Sequence, residues 1–162
     1  MIIVSDSSPL TALSVIGKLH LLQKRFGKVT IPEAVRTEIA VDGRDKKGTD
    51  DILKADWIKT ESVQNLLLAK SLEKDIDYGE SEAIALAVEM NADIILLDDK
   101  LARNMASGFG LKILGTVGIL IWAKRAGLID LLGTELDTLL TKANFRLSQD
   151  LIRMALREVG EN

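Results

Sequence analysis

The chain has 162 residues, 47% hydrophobic and 28% charged, a composition that predicts one soluble globular domain over 1–162 and argues against disordered, collagenous and membrane-spanning classes. Cysteine is absent, which excludes disulfides and thiolate metal sites, and the single histidine, His20, leaves no multi-histidine zinc site and no ready Ser-His-Asp apparatus. Acids outnumber bases by 24 to 21, a net charge of −3, which speaks against non-specific DNA coating but not against an enzyme that reaches a polyanion through metal ions.

Ile2-Ile3-Val4 is a short β-branched run, read as a buried parallel strand and ended by Ser5-Asp6-Ser7-Ser8-Pro9. Ser7 or Ser8 is expected to cap the next helix, with Pro9 in its first turn. Leu10, Leu13, Leu19, Leu21 and Leu22 predict one or two short helices broken near Gly17. Val29-Thr30-Ile31 is a second strand, and Pro32 opens a helix with Val35, Ile39 and Ala40 on its apolar face. The polar stretch 42–51 reads as a loop passing into a short helix, and 57–60 as a further strand or an edge extension. Helical patterning returns over 66–72, and from Glu80 onward Ala83, Ile84, Ala87 and Val88 recur at helical spacing. Residues 93–97 form a central buried strand ended by Asp98-Asp99, and Leu101, Ala102, Met105 and Ala106 mark the next helix. Lys112-Ile113-Leu114 is a last strand, followed by Gly115-Thr116 and a helix through Trp122. The rest is helical, with Leu136, Leu139 and Leu140 on one face. Ser148 is expected to cap a final helix striped by Leu151, Ile152, Ala155, Leu156 and Val159.

Strands alternating with helices predict a mostly parallel sheet covered on both faces, with a helical C-terminal extension over about 128–162. The start, MIIVSDSSPL, has no basic n-region and no small-residue cleavage site. The apolar stretch 118–123 is far shorter than the ~20 residues a membrane span needs. A cytoplasmic protein without membrane contact is expected.

Ligands of open parallel sheets bind beyond the carboxyl ends of the strands. Asp6 directly follows the first strand, and Asp98 and Asp99 follow the strand over 93–97. Glu80 opens the helix before that strand, with Glu82 beside it, and Glu38 lies about two turns into the helix after the second strand. Each has a plain alternative. Strand-end Asp residues cap helices and form turns, acids are favoured at helix N-termini, and Glu38 fits a solvated helix face. Four acids from separate segments are nonetheless placed so that they could converge on one sheet end, and two carboxylates about 4 Å apart repel by about 4 kcal/mol at an effective dielectric near 20. A cation relieves that cost. Hard oxygen donors without Cys or a suitable His select Mg²⁺ or Mn²⁺. Ser7, Ser8 and Thr116 stand at the same edge, able to bind water or phosphate. Lys100 and Arg103 read as solvent-facing or salt-bridged charges as readily as phosphate contacts. His20, Trp57 and Trp122 read as surface or packing residues.

Val4-Ser5-Asp6-Ser7-Ser8-Pro9-Leu10, Ile31-Pro32-Glu33-Ala34-Val35-Arg36-Thr37-Glu38, Tyr78-Gly79-Glu80-Ser81-Glu82-Ala83-Ile84-Ala85-Leu86-Ala87 and Leu96-Leu97-Asp98-Asp99-Lys100 together resemble the PIN-domain nucleases. The likeness is to the VapC-like branch found as toxins in toxin–antitoxin pairs. Downstream, Gly115-Thr116-Val117-Gly118-Ile119-Leu120 and Phe145-Arg146-Leu147-Ser148 resemble one prokaryotic subgroup of it. The resemblance covers nearly the whole chain. It implies a three-layer α/β/α sandwich, a quartet of acids, divalent metal, and endonucleolytic cleavage of single-stranded RNA by metal-activated water. The matching acids are Asp6, with Ser8 in support, then Glu38, then Glu80 or Glu82, then Asp98 or Asp99. Glu80 suits the family's helix face better: Ala83, Ile84 and Ala87 follow it at three, four and seven positions, whereas Glu82 is followed by Ala85, Leu86 and Glu89. The family's Thr two residues before the final acid is missing, so Asp98 and Asp99 stay alternatives. Asp6 and one of Asp98 and Asp99 are implied to hold the principal ion, with Glu38 and Glu80 acting through water or on a second ion. Lys100, Arg103 or Arg36 are implied to position phosphates. The implied partners are an RNA substrate, a small antitoxin protein and a second copy in a homodimer.

Two other classes compete. A PIN-fold protein without catalysis, binding nucleic acid or serving as a scaffold, would keep the architecture, although four acids in place speak against it. A phosphotransfer receiver or haloacid-dehalogenase-like enzyme also uses strand-end Asp residues. The receiver requires paired acids near the end of its first strand, where only Asp6 stands. The dehalogenase type requires an Asp two residues beyond the nucleophile, where Ser8 stands.

Overall fold

The computed structural model describes residues 1–43 and 48–162. Five short strands, β1 (Ile3–Ser5), β2 (Val29–Pro32), β3 (Ile58–Glu61), β4 (Ile94–Leu96) and β5 (Ile113–Leu114), pair in the order β3-β2-β1-β4-β5. Every pairing is parallel. The segment expected as a strand or an edge extension is the edge strand β3.

From β1 the chain steps outward to β2 and β3, then returns to the other side of β1 for β4 and β5. Right-handed crossovers in two opposite directions must place their helices on opposite faces of the sheet. One face carries α1 (Ser7–Val15), α2 (His20–Phe26), α3 (Glu33–Asp42) and α4 (Thr49–Lys54), joined by α8 (Thr116–Arg125), α9 (Leu132–Lys142) and α10 (Gln149–Glu158). The other carries α5 (Leu66–Leu72), α6 (Tyr78–Glu89) and α7 (Lys100–Gly108). The result is a three-layer α/β/α sandwich. Strand alternation divides the middle layer: Ile3 and Leu96 enter the first core, and Val4, Ile95 and Leu97 the second.

Several local expectations change once tertiary contacts are included. Neither Ser7 nor Ser8 caps α1; the N-cap residue is Asp6, whose side chain makes no capping bond, and both serines lie inside the helix. Gly17, at φ +73°, separates α1 from α2 as expected. Ala40 is exposed rather than part of the apolar face of α3. Of the polar stretch 42–51, residues 44–47 lie outside the described residues. α6 is buried continuously from Gly79 to Ala87, not along one stripe, because α3, α5 and the sheet surround it and its alanines admit close approach.

α9 ends in a left-handed turn at Asn144. Asn144 adopts φ 52°, and the Phe145 N–H donates to the Leu139 carbonyl at 3.1 Å. Ser148 caps α10 as expected, accepting from the Leu151 N–H at 3.1 Å. Leu147 and Ile152 flank that cap and pack on the first core. Glu161 then reaches back to the start of α9, accepting from the N–H groups of Leu132 at 2.7 Å and Gly133 at 3.0 Å, with Lys124 Nζ 3.7 Å away. The Gly133 N–H foremost, with Leu132 and Lys124, holds the Glu161 carboxyl below the usual range. Among the described residues no helix is long and apolar enough to cross a membrane.

Glu161→Ala would leave two N–H groups at the start of α9 without this acceptor. The expected cost is about 1 kcal/mol, a fall in Tm of roughly 2–4 °C on thermal denaturation. An unchanged Tm would show that solvent satisfies those groups equally well.

Candidate active site

The strand order reverses between β1 and β4, and their carboxyl ends open into a cleft of about 680 Å³. Asp6, Glu38, Asp77, Glu80, Asp98 and Asp99 all line it. Backbone pairing carries the sheet right up to it, the Asp6 N–H donating to the Leu96 carbonyl at 3.1 Å.

Asp6 is buried, at 5% exposure, and its Oδ1 has no hydrogen-bond partner among the described residues. Burial pushes its carboxyl from 3.8 up to about 7, assisted by the charges of Glu38, Asp77 and Asp98 and opposed by the Ser7 N–H. Glu38 accepts a hydrogen bond from the Ser7 hydroxyl. Gly79, in the first turn of α6, allows the carboxylates to close in. A Cβ there would lie 3.0 Å from Glu38 Oε1 and 3.5 Å from Asp6 Oδ1, so the two oxygens converge on a space that a methyl group would fill.

Glu80 is also buried, and Asp77 fixes it through a reciprocal capping box. The Glu80 N–H donates to Asp77 Oδ1 at 2.8 Å, and the Asp77 N–H donates to Glu80 Oε1 at 3.3 Å. Glu80 Oε2 has no partner among the described residues. Burial, then the Asp77 carboxyl, then the Asp6 charge push Glu80 from 4.5 up to about 8. Asp77 was not singled out in the sequence, although its signal, an Asp three residues before a Glu at a helix start, was there to read.

Asp98 takes three hydrogen bonds: from the Thr116 N–H at 2.7 Å, the Thr116 hydroxyl at 2.7 Å and the Ser8 hydroxyl at 3.1 Å. Gly115 keeps this corner open, since a Cβ there would fall 3.0 Å from Asp98 Oδ1 and 2.6 Å from Arg103 Nη1. Asp99, next in the chain, is exposed and caps α7, accepting from the Ala102 N–H at 3.0 Å.

The remaining expected residues are distributed as follows. Glu82 is buried outside the cleft and accepts from the Ala34 N–H at the start of α3, at 3.0 Å. Ser8 and Thr116 hold Asp98. Lys100 lines the cleft, whereas Arg103 donates to the Leu97 carbonyl at 3.1 Å. Arg36 and His20 are exposed outside the cleft. Trp57 and Trp122 pack on the first core. The turn between α9 and α10 also reaches the cleft, through Asn144, Phe145 and Arg146.

Among the described residues no group of three or more His, Asp or Glu side chains is arranged, as it stands, to hold a metal ion. The donor chemistry does fit one. The facing groups are hard oxygens throughout, two of them buried and without a partner, and the space at Gly79 gathers Asp6 and Glu38. Buried neighbouring acids with raised pKa values are the state that a divalent cation would relieve.

A family model described as a PIN domain, DUF3368, matches residues 2–161, and the chain belongs to that family. PIN domains are typically nucleases, hydrolases acting on nucleic acid, and they generally use divalent metal ions. No curated protein matches the sequence.

In the metal-free protein, Asp6 and Glu80 keep protons at a pH where the unfolded chain has lost them. Their contribution to stability is therefore full below about pH 4 and is lost as the pH rises toward 7–8. Asp6→Asn removes the cost at Asp6. Its advantage over the parent chain should grow from near zero at about pH 4 to about 4 kcal/mol at about pH 8, roughly 8–16 °C in Tm. A difference that stays flat across that interval would contradict the burial of Asp6.

Proposed function

We propose that this PIN domain is a Mg²⁺- or Mn²⁺-dependent endoribonuclease that cleaves RNA phosphodiesters, acting in the cytoplasm as the toxin of a type II toxin–antitoxin pair. The observation that carries the reading is the pair of buried, unpartnered carboxyl oxygens, Asp6 Oδ1 and Glu80 Oε2, in one cleft at the strand ends. Groups so costly to bury are retained where a ligand completes them.

Asp6, Glu38, Glu80 and Asp98 are the residues that would hold the ion. When bound, it supplies Lewis acidity that makes water a nucleophile at neutral pH and offsets charge on the phosphodiester. The chain's own groups do the positioning. The Ser8 hydroxyl and both Thr116 donors fix the rotamer of Asp98, and the Ser7 hydroxyl holds Glu38. Asp77 pins one oxygen of Glu80 and leaves the other facing the cleft. Glu82 and Asp99 act as helix caps in this reading, not as ligands. No histidine base is required.

The toxin assignment is supported by the likeness of the four acid-bearing segments to the VapC-like branch. It carries two partners, a small antitoxin protein and a second copy of the chain. Induced expression should arrest growth, and Asp6→Asn should abolish the arrest.

The direct test is cleavage of a labelled single-stranded RNA with Mn²⁺ or Mg²⁺. Chelation should stop it. Asp6→Asn and Asp98→Asn should each slow it by about 100-fold or more with the fold intact by circular dichroism. Asp99→Asn and Glu82→Gln, which keep an oxygen for the Ala102 and Ala34 N–H groups, should leave Tm nearly as it was and keep most of the activity. Tight RNA binding without hydrolysis in Mn²⁺ would replace this reading with that of a non-catalytic PIN-fold binder. Cleavage indifferent to both chelator and Asp6→Asn would remove the site assignment.

A further inference from the structure

Most charged side chains lining the cleft are acids, yet a phosphodiester backbone approaches protein through cations. Of the bases expected to meet it, Arg103 is turned onto the Leu97 carbonyl and Arg36 lies outside the cleft. Lys100 and Arg146 are the two cations among the described residues that line it. Lys100 begins α7 beside Asp98 and Asp99. Arg146 comes from the link between α9 and α10, far along the chain from every acid that lines the cleft.

That link is built to hold Arg146 still. Its start is fixed by the left-handed backbone of Asn144 and the Phe145 N–H on the Leu139 carbonyl. Phe145 and Leu147, on either side, pack against the first core. Its end is fixed by the Ser148 cap. Arg146 itself is exposed and makes no ion pair among the described residues. A side chain on a preordered backbone loses less freedom on binding, and a guanidinium with no carboxylate partner offers its planar fork to a phosphate.

We propose that Arg146, with Lys100, is the phosphate-binding element of this cleft, seating the backbone of a single-stranded nucleic acid over the acids. The proposal rests on the nuclease reading above. Arg146 contributes binding energy and register rather than chemistry, and the C-terminal helical pair serves as the mount that brings it to the cleft.

The experiment is fluorescence anisotropy of a labelled single-stranded RNA, with Asp6→Asn present in every chain to prevent cleavage, over a series of salt concentrations. Arg146→Gln should weaken binding roughly tenfold. It should also reduce the slope of log K against log salt by about 0.7, the contribution of one phosphate contact on a single strand. Lys100→Gln should act in the same direction, and Arg146→Lys should recover the slope better than the affinity. Arg153→Gln, on α10 and paired with Asp150, should leave both unchanged. In the active chain Arg146→Gln should raise KM and leave kcat nearly as it was. Equal affinity and slope for the parent and Arg146→Gln would overturn the proposal while leaving the ribonuclease reading intact. Binding without cleavage by the active chain would overturn the ribonuclease reading and leave this one standing. No binding by the parent chain at low salt would overturn both.

Discussion

Ile3 and Ile94 are far apart in the chain and adjacent in the sheet, and the site depends on that adjacency. The parallel pairing of β1 with β4 continues past the last strand residue to the Asp6 N–H on the Leu96 carbonyl. It sets where Asp6 and Asp98 stand relative to each other. Because the chain winds outward in both directions from this pair, no crossover helix covers the gap between their ends. Glu38 enters from α3 and Glu80 from α6, helices that pack on each other. Weakening β1 against β4 would disperse the acids even with every side chain present.

A parallel sheet flanked by helices also gathers helix N-termini at the edge where its strands end. Asp6 precedes α1, Glu80 lies in the first turn of α6, Asp99 begins α7, and Thr116 opens α8 beneath Asp98. The partial positive charge of those termini moderates a cluster of carboxylates that would otherwise repel strongly. Hydroxyls complete the arrangement, with Ser7 on Glu38 and Ser8 and Thr116 on Asp98. Among the described residues no hydroxyl bonds the buried Asp6 carboxyl, and burial dominates its titration over the opposing Ser7 N–H.

The β-branched runs and helical spacing marked the strands and helices because those signals are local, and the acids at strand ends followed from the geometry of parallel sheets. What escaped was set by distant partners. Ser7 and Ser8 have the propensity of caps, but Glu38 and Asp98, remote in sequence, take their hydroxyls. Asp98 and Asp99 are equivalent as text; Thr116, eighteen residues on, distinguishes them by bonding to one, while the other turns to its own helix. Glu82 shares a helix with Glu80 but meets the start of α3, a contact fixed only when α6 is enclosed. Arg146 reaches the cleft because α9 and α10 fold back, and no periodicity in its own segment encodes that.

Glu80 divides its two oxygens between tasks. Oε1 receives the Asp77 N–H and helps begin α6, whereas Oε2 is buried without a partner. A glutamine can keep the first acceptor while replacing the second oxygen by an amide nitrogen, so the start of α6 survives a change that removes the oxygen to which the proposed reading gives the cation. Asp77 offers no such separation, since its Oδ1 carries the Glu80 N–H directly. Under the proposed function, the evolutionary consequence is that a single, structurally mild substitution would convert a hydrolase of this architecture into a pure binder. Loss of chemistry then leaves little trace in the fold, and two descendants of one ancestor can differ in activity while remaining superimposable.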